Sequence, residues 1–294
     1  MQRVNFISVR FLVILLTITL FTIACNSNDP SDTSSILRIK LTDTQVLQGD
    51  MPVIPITGLF IDIQRIEVLE NEEWKAINSQ GREVNLLQLT NGKLLQIAEE
   101  WFPAGRSIRG VRLVLGDNSR VLNAANQTFD LTTPNAIVIE NFQIDIRLNS
   151  ISSMVIELNS VFTHNNTNNT FSLNAMGRGF SESESILRGT VAPREAFAMI
   201  IITHTETDDA LRAFADPENG SFTFLGVPTG DWMVEVRAHP DSRFHDSIFV
   251  DPITVTRNPR INNLGSVRLQ PIITAPEPEP DDGEEEEEDI EEEI

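Results

Sequence analysis

The chain has 294 residues, 40% of them hydrophobic, one cysteine and a formal net charge of −21 at pH 7. Thirteen acidic side chains and no basic one lie from Glu277 to the last residue. This balance and the lack of a basic patch disfavour nucleic acid as a partner, because phosphates are neutralised by clustered lysine and arginine. A single cysteine rules out an intrachain disulfide, so packed cores must supply the stability.

The first 24 residues have the parts of an export signal. Arg3 and Arg10 precede an apolar stretch that runs from residue 11 to the small residue Ala24. A positive start, a short apolar stretch and a small residue before the cleavage point define a secretory signal. The stretch is shorter than the roughly 20 apolar residues of a membrane-spanning helix. We therefore expect residues 1–24 to act as a signal peptide.

Cys25 follows directly, in the string Thr22-Ile23-Ala24-Cys25. This string resembles the lipobox of bacterial lipoproteins, although Thr22 stands where leucine is usual. The resemblance implies a diacylglycerol on the Cys25 sulfur, an N-acyl chain on its amino group and anchoring in the outer membrane of a Gram-negative cell. Either the surface face or the periplasmic face is compatible with the sequence. The alternative is a secreted protein whose only cysteine lies there by chance.

The mature chain is dominated by a hydrophobic period of two. A slip in this period near Gln64 and Arg65 indicates a β-bulge. Strands with one wet face and one buried face are typical of antiparallel sheets. The clearest examples are residues 36–41, 61–68, 142–148 and 154–158.

The composition divides the mature chain into segments. Residues 25–35 are polar and predict a flexible tether. Strand patterns then fill residues 36–180, and only residues 92–101 have a pattern that could form a short helix. Six or seven further short strands fill residues 185–270. Residues 271–294 are rich in proline and glutamate and cannot bury enough apolar area to fold. The predicted fold class is all-β, with two consecutive antiparallel β-sandwich domains and a disordered acidic tail.

Three strings characterise the second unit: Gly189-Thr190-Val191, residues 216–224 and residues 226–232. Asn219-Gly220 is typical of a tight turn, since glycine adopts positive φ freely, and Phe222 and Phe224 are predicted to enter one core. With these strings the second unit resembles the carboxypeptidase regulatory-like, transthyretin-like β-sandwich domains, although Trp232 stands where the family usually has tyrosine. The resemblance implies a structural or docking module without an active site.

Five segments characterise the first unit: Leu41-Thr42-Asp43, residues 85–92, Pro103-Ala104-Gly105, residues 111–118 and residues 131–134. In their order and spacing they resemble the lipoprotein family known as domain of unknown function 4382. One departure is the lack of the tyrosine that usually follows Pro-Ala-Gly, since this chain contains none. The resemblance implies an envelope lipoprotein with a β-sandwich and implies no known activity.

Two polar clusters are candidate metal sites. His239, Asp241 and His245 are close enough in sequence to hold a divalent metal, but a solvated loop is the alternative, because no further ligand is evident nearby. Asp117 could supply oxygen to calcium together with Asp43 or Asp145. The alternative there is a turn in which Asp117 and its neighbour bond to their own backbone.

Trp74 and Trp101 are the candidate ligand-binding residues. Aromatic rings stack on sugars through their faces, although core packing explains these residues equally well. The catalytic strings of the common hydrolases are missing from the sequence, and with Cys25 committed to lipid a cysteine nucleophile is excluded.

The sequence therefore predicts a lipid-anchored, non-catalytic binding or structural module, with protein interaction or adhesion as its function. A glycan-binding module of a surface nutrient-uptake system is the alternative. A periplasmic hydrolase is a third hypothesis, and it predicts a cleft with paired carboxylates of raised pKa.

Overall fold

The structure, a computed structural model, describes residues 34–44, 47–48, 56–77, 80–140, 142–165, 167–249 and 251–273. Its regular elements are β-strands, apart from three short 3₁₀ turns at Leu86–Gln88, Arg194–Ala196 and Pro240–Ser242. The predicted all-β fold class is confirmed. The predicted signal peptide, Cys25 and residues 274–294 of the predicted acidic tail lie outside the described residues, whereas Pro271 pairs with Phe244.

No helix in these described ranges is long and apolar enough to cross a membrane.

The first unit contains fourteen strands, of which twelve form one sheet and the other two pair only with each other. The strand order is β11-β8-β3-β9-β10-β14-β13-β1-β6, with β4 and β5 beside β3 and β2 beside β13, once the strands are numbered along the chain. The strands are β1 Ser34–Asp43, β2 Leu47–Gln48, β3 Ile56–Glu70, β4 Glu73–Ala76, β5 Arg82–Asn85, β6 Leu95–Pro103, β7 Ser107–Ile108, β8 Gly110–Leu115, β9 Arg120–Asn123, β10 Thr128–Thr132, β11 Ala136–Ile139, β12 Ile144–Asp145, β13 Ile151–Asn165 and β14 Thr170–Ser181.

The period of two sets which side chains enter the core of the first unit. On β1, Leu37, Ile39 and Leu41 are buried, and the residues between them face outward. Their core also receives Ile61 from β3 and Val111 from β8. Strands from both ends of the strand order therefore contribute to a single apolar core. Burying each such side chain stabilises the fold by about 1.5–3 kcal/mol.

The register confirms one local prediction and adds a feature that the sequence did not indicate. The pairing of β3 with β8 shifts between Ile63 and Arg65, which is the predicted bulge. β1 pairs with β6 in antiparallel fashion but with β13 in parallel fashion, so that Ile36 lies opposite Ile151. The sheet is therefore mixed.

Two element predictions were wrong. Residues 92–101 do not form a helix, because β6 pairs along β1 and buries Ile97 and Phe102 against the core. The predicted strand over residues 142–148 is reduced to β12, which pairs with β7. Ile144 and Ile146 are buried as their alternation predicts, but Leu148 is exposed in the following turn.

The second unit is a sandwich of two small sheets, with strand orders β18-β15-β22 and β17-β16-β19-β20, the latter with β21 beside β19. Its core includes Phe222, Phe224 and Trp232, so the predicted inward direction of the two phenylalanines is confirmed. Gly220 has φ +74° in the turn before β18, as predicted. The strands are β15 Ser185–Ala192, β16 Met199–His204, β17 Ala210–Phe214, β18 Ser221–Val227, β19 Gly230–Arg237, β20 Ser247–Ile248, β21 Ile253–Val255 and β22 Ile261–Arg268.

Candidate functional site

The two units meet on the outward face of β13 and β14. Val155 and Phe180 lie opposite each other in this antiparallel pair, and both are buried together with Leu225 from β18. Ile186 packs against these three residues from the start of β15. The two units therefore share an apolar contact of their own, which is separate from both main cores.

Arg178 connects the units through polar bonds. Its Nε donates to Glu157 Oε2 at 2.6 Å, its Nη1 donates to the Gly226 carbonyl at 2.9 Å and its Nη2 donates to the Leu225 carbonyl. The guanidinium also lies over the Phe180 ring, 4.6 Å from the centroid. A planar guanidinium with five donors can satisfy a carboxylate and two carbonyls at once. We call this set of contacts the junction latch.

A groove of about 690 Å³ opens between the units. Its walls come from residues 143–153, from the 181–184 connection between the units and from the loop that holds Arg257 and Arg260. Arg260 is held by the Glu184 carbonyl at 2.8 Å, whereas Arg257 forms no hydrogen bond or ion pair with any other described residue. We call this space the junction groove. Concave sites between domains with convergent polar groups are typical of ligand binding.

Asp145 on the groove wall remains a charged acceptor. Ser107 and Gln143 donate to its Oδ1 at 2.6 and 2.8 Å. These hydrogen bonds, from Ser107 first, hold the pKa of the Asp145 carboxyl below its ordinary value. A carboxyl with a lowered pKa is a poor general acid, since it holds no proton near neutral pH. The groove therefore offers charge and hydrogen bonds to a ligand.

A row of apolar side chains continues from Ile151, which lines this groove, onto the two neighbouring strands. Trp101, Ile36 and Ile151 occupy one row across β6, β1 and β13, because Ile36 is the register partner of both other residues. Trp101 is 70% exposed and Ile151 is 52% exposed. Leu148, in the turn before β13, is 55% exposed. We call these four residues the apolar patch.

Glu157 makes the junction latch sensitive to pH. Burial raises the pKa of its carboxyl above the ordinary value of 4.5, and the nearby Arg178 opposes this only in part. The native state therefore holds the proton more tightly than the unfolded chain does. By linkage, the free energy of unfolding falls as pH rises from 4.5 through the folded-state pKa.

We expect Glu157→Gln to remove this decrease in the free energy of unfolding with rising pH, because glutamine stays neutral and can still accept a hydrogen bond from Arg178. Urea unfolding between pH 4.5 and neutral pH measures it. The control Glu99→Gln alters an exposed pair with Arg38 and should keep the wild-type pH dependence. Equal slopes for Glu157→Gln and the wild type would contradict the role of Glu157.

Two other buried carboxyls act in a different pH window. Glu67 and Glu70 each hold two basic side chains, whose hydrogen bonds outweigh burial and lower the pKa of both carboxyls. The stability they contribute is present above pH 4.5 and is lost as pH falls through their folded-state pKa. Their contribution therefore does not overlap with that of Glu157. The partners are Arg112 and Arg65 for Glu67, and Lys75 and Arg106 for Glu70.

The structure places the predicted histidine cluster at a 3₁₀ turn. The Asp241 amide donates to His239 Nδ1 at 3.2 Å, so this histidine caps the turn. The side chains of Asp241 and His245 are exposed. Within the described ranges, no group of three or more histidine, cysteine, aspartate or glutamate side chains is arranged to hold a metal ion. Metal binding by His239, Asp241 and His245 stays a prediction.

The candidate calcium residues have separate partners. Asp117 is exposed in the turn between β8 and β9, where its neighbour Asn118 donates to Asp62 at 3.1 Å. Asp43 is buried and accepts from Ser160 at 2.5 Å. Asp145 has the groove contacts described above. The structure does not bring Asp117 together with either proposed partner in a metal-binding group.

The two candidate tryptophans have different surroundings. Trp74 is half-buried, and the Arg112 guanidinium lies 4.6 Å from the centroid of its ring. One ring face is therefore covered by a cation–π contact. Trp101 projects from β6 into solvent. Of these two residues, Trp101 is the one whose ring is open to a ligand.

Sequence reasoning missed Arg178, Arg257 and the junction groove. The groove combines three segments that are far apart along the chain, and Arg178 contacts carbonyls 47 and 48 residues away. The sequence did contain one indication of this contact. Glu157 and Arg178 are charged residues of opposite sign on two strands whose neighbouring residues are uncharged. Such a pair indicates that another part of the protein covers this face of the sheet, since a buried charge needs a partner.

The chain has low similarity to several solved structures. It is similar to the Bacillus anthracis TIE protein at 13% identity and a TM-score of 0.25, covering 81% of this chain and 34% of that one. It is also similar to BcpA, the major pilin subunit of Bacillus cereus, at 12% identity and a TM-score of 0.22, covering 81% and 70% of the two chains. The chain thus spans about a third of the TIE protein. None of the curated proteins compared with the chain matches it.

A third solved structure is the shaft pilin SpaA of Lactobacillus rhamnosus GG, at 9% identity and a TM-score of 0.23, covering 83% of this chain and all of that one. The comparison with protein families is more specific. Residues 34–175 match the family described as "Domain of unknown function (DUF4382)", which confirms the resemblance of the first unit.

Proposed function

We propose that the protein is a non-catalytic binding module of the cell envelope, anchored in the outer membrane by lipid on Cys25, with protein interaction or adhesion as its function. The observation that carries this proposal is the junction groove, held between two filled sandwiches. Serines, three arginines and three carboxylates line it. Such a mixed lining suits an extended polar partner, because it offers donors and acceptors along its length.

The organisation of the chain is part of the proposal. We assign a signal peptide to residues 1–24, a tether to 25–33, because β1 already begins at Ser34 rather than at the predicted residue 36, and the first domain to 34–180. We assign a carboxypeptidase regulatory-like docking domain to 185–273, because Pro271 pairs with Phe244, and an acidic tail to 274–294. The eight strands of the second unit, its Gly220 turn and the buried Trp232 support the assignment of the docking domain.

The non-catalytic part of the proposal is supported by the carboxyls near the groove. A hydrolase of the two-carboxylate type needs one carboxyl with a raised pKa facing its substrate. Asp145 has a lowered pKa, and the raised pKa belongs to Glu157, which is bonded to Arg178 in the junction latch. Neither residue suits the role of a general acid.

Cys25→Ser is expected to move the protein from the membrane fraction to the soluble fraction. A single alkyl chain binds membranes only marginally, so the several chains of a lipoprotein anchor account for stable attachment. Fractionation of cells that express the full chain, followed by immunodetection, measures the shift. Ser27→Ala is the matched control and should stay with the membrane. Retention of Cys25→Ser in the membrane fraction would refute the anchor.

Glycan binding is the second candidate function, and the exposed ring of Trp101, in the same strand row as the groove residue Ile151, favours it. The lipid-free Cys25→Ser protein allows a direct test by titration with cell-surface polysaccharides. Quenching of tryptophan fluorescence that disappears in Trp101→Phe would support glycan binding. No response across a broad panel would leave protein interaction as the function.

A further inference from the structure

We propose that the apolar patch (Ile36, Trp101, Leu148 and Ile151) lies on the lipid surface, so that the end of the first unit that carries it faces the membrane. This inference rests on the proposed lipid anchor at Cys25. It goes further by fixing which surface of the folded protein contacts the bilayer, and it places Arg147 and Ile151 at the membrane side of the junction groove.

The position where the described chain starts provides the first argument. Cys25 precedes Ser34 by nine residues, and a chain of that length spans at most about 30 Å. Ser34 is the register partner of Pro103, next to the strand position of Trp101. A lipid on Cys25 therefore holds this end of β1 within a short distance of the bilayer.

The same strand end directly contacts the turn that carries Leu148. The Ile36 amide donates to the Ser150 carbonyl at 3.1 Å, and Ser35 Oγ donates to the Arg147 carbonyl. The turn at residues 147–150 is therefore fixed beside the first residues of β1. All four residues of the apolar patch thus belong to the end of the fold where the anchored chain enters.

The chemistry of the patch provides the second argument. Twelve large apolar side chains are exposed among the described residues, and three of them, Trp101, Leu148 and Ile151, gather here. Tryptophan is enriched at membrane–water interfaces, where its ring sits at the level of the lipid headgroups. Arg147 is exposed next to Leu148, in a position to contact lipid phosphate. The patch matches an interfacial surface in both its apolar and its cationic groups.

The second unit offers a comparison position outside the apolar patch. Ile248 lies on β20, at an edge of its sheet, and is not among the residues that line the junction groove. Ile248 on β20 is 65% exposed. It is a matched apolar position that should remain in water.

Site-specific labelling tests the proposal on the full lipidated chain. The sulfur of Cys25, the only cysteine, is blocked when it carries lipid, so Leu148→Cys or Ile248→Cys introduces a single reactive thiol. Each variant is labelled with an environment-sensitive fluorophore and reconstituted into vesicles of phosphatidylethanolamine and phosphatidylglycerol. The label at position 148 is expected to shift to shorter emission wavelength, to be quenched by brominated lipids and to lose its quenching by iodide.

The label at position 248 is expected to keep full iodide quenching and to gain none from brominated lipids. Equal aqueous quenching at both positions, in protein that floats with the vesicles, would overturn the membrane-facing patch and leave it open to a protein or glycan, with the anchor intact. Protein that does not float, and whose Cys25 takes up the label, would overturn the anchor and this inference together. Ile151→Cys provides a second patch position and is expected to match Leu148→Cys.

Discussion

Replacing Arg178 with alanine is expected to uncouple the two units and to lower the free energy of unfolding by about 3 kcal/mol. The change leaves the largely buried Glu157 without its partner and removes the donors to the Leu225 and Gly226 carbonyls. Removing one member of a buried ion pair is costly because the remaining carboxyl must either stay charged without solvent or take up a proton. The cation–π contact with Phe180 is lost as well.

Urea unfolding followed by far-ultraviolet circular dichroism measures this effect. We expect a single transition for the wild type and two separated transitions, the first at lower urea, for Arg178→Ala, since the two cores are distinct. Arg188→Ala is the matched control, because Arg188 is exposed and has no side-chain bond to any other described residue. A single transition with an unchanged midpoint for Arg178→Ala would contradict the role of the latch.

Trp232→Ala is expected to lower the free energy of unfolding by about 3–5 kcal/mol, the largest effect we predict. Trp232 is 0% exposed at the centre of the second core. Its Nε1 donates to the Pro228 carbonyl at 3.0 Å, and its ring meets His204 edge-on with the centroids 5.0 Å apart. Alanine would leave a cavity and an unsatisfied carbonyl, because the rigid strands around it close only in part.

Two further variants separate the causes of this loss. Trp232→Phe keeps most of the ring but loses the bond to Pro228, so it should cost less than Trp232→Ala. Trp101→Ala removes the exposed tryptophan and should change the free energy of unfolding by about 0.5 kcal/mol or less. Chemical unfolding of the three purified variants gives the comparison. A Trp232→Ala protein as stable as Trp101→Ala would show that the second core does not depend on this ring.

Local patterns predicted the parts of the fold that depend on local physics. Alternating side chains identified β1, and the phase slip at Gln64 and Arg65 identified the bulge, since a strand has a fixed period. Asn219-Gly220 identified a turn because glycine adopts positive φ without strain. The parallel and antiparallel pairing within one sheet was not predictable in this way, because the sequence of a strand does not determine whether its neighbour runs parallel or antiparallel to it.

The failures have tertiary causes. The apolar residues at 94, 95, 97 and 98 fit a helical face, but β1 provided a partner that buries Ile97 in a strand instead. The candidate site escaped prediction because its residues meet only after folding. Arg257 lines the junction groove from the loop between β21 and β22. Arg178 forms its bond to the Leu225 carbonyl only when β18 packs against the first unit.

The most direct test of the anchored-module account is the mass of the N-terminal tryptic peptide from protein extracted from membranes. The account predicts a peptide of residues 25–38 that begins at Cys25 and carries the diacylglycerol and the N-acyl chain. A peptide of residues 11–38 with a free thiol on Cys25 would contradict it, because the export signal would then be uncut and the lipid absent.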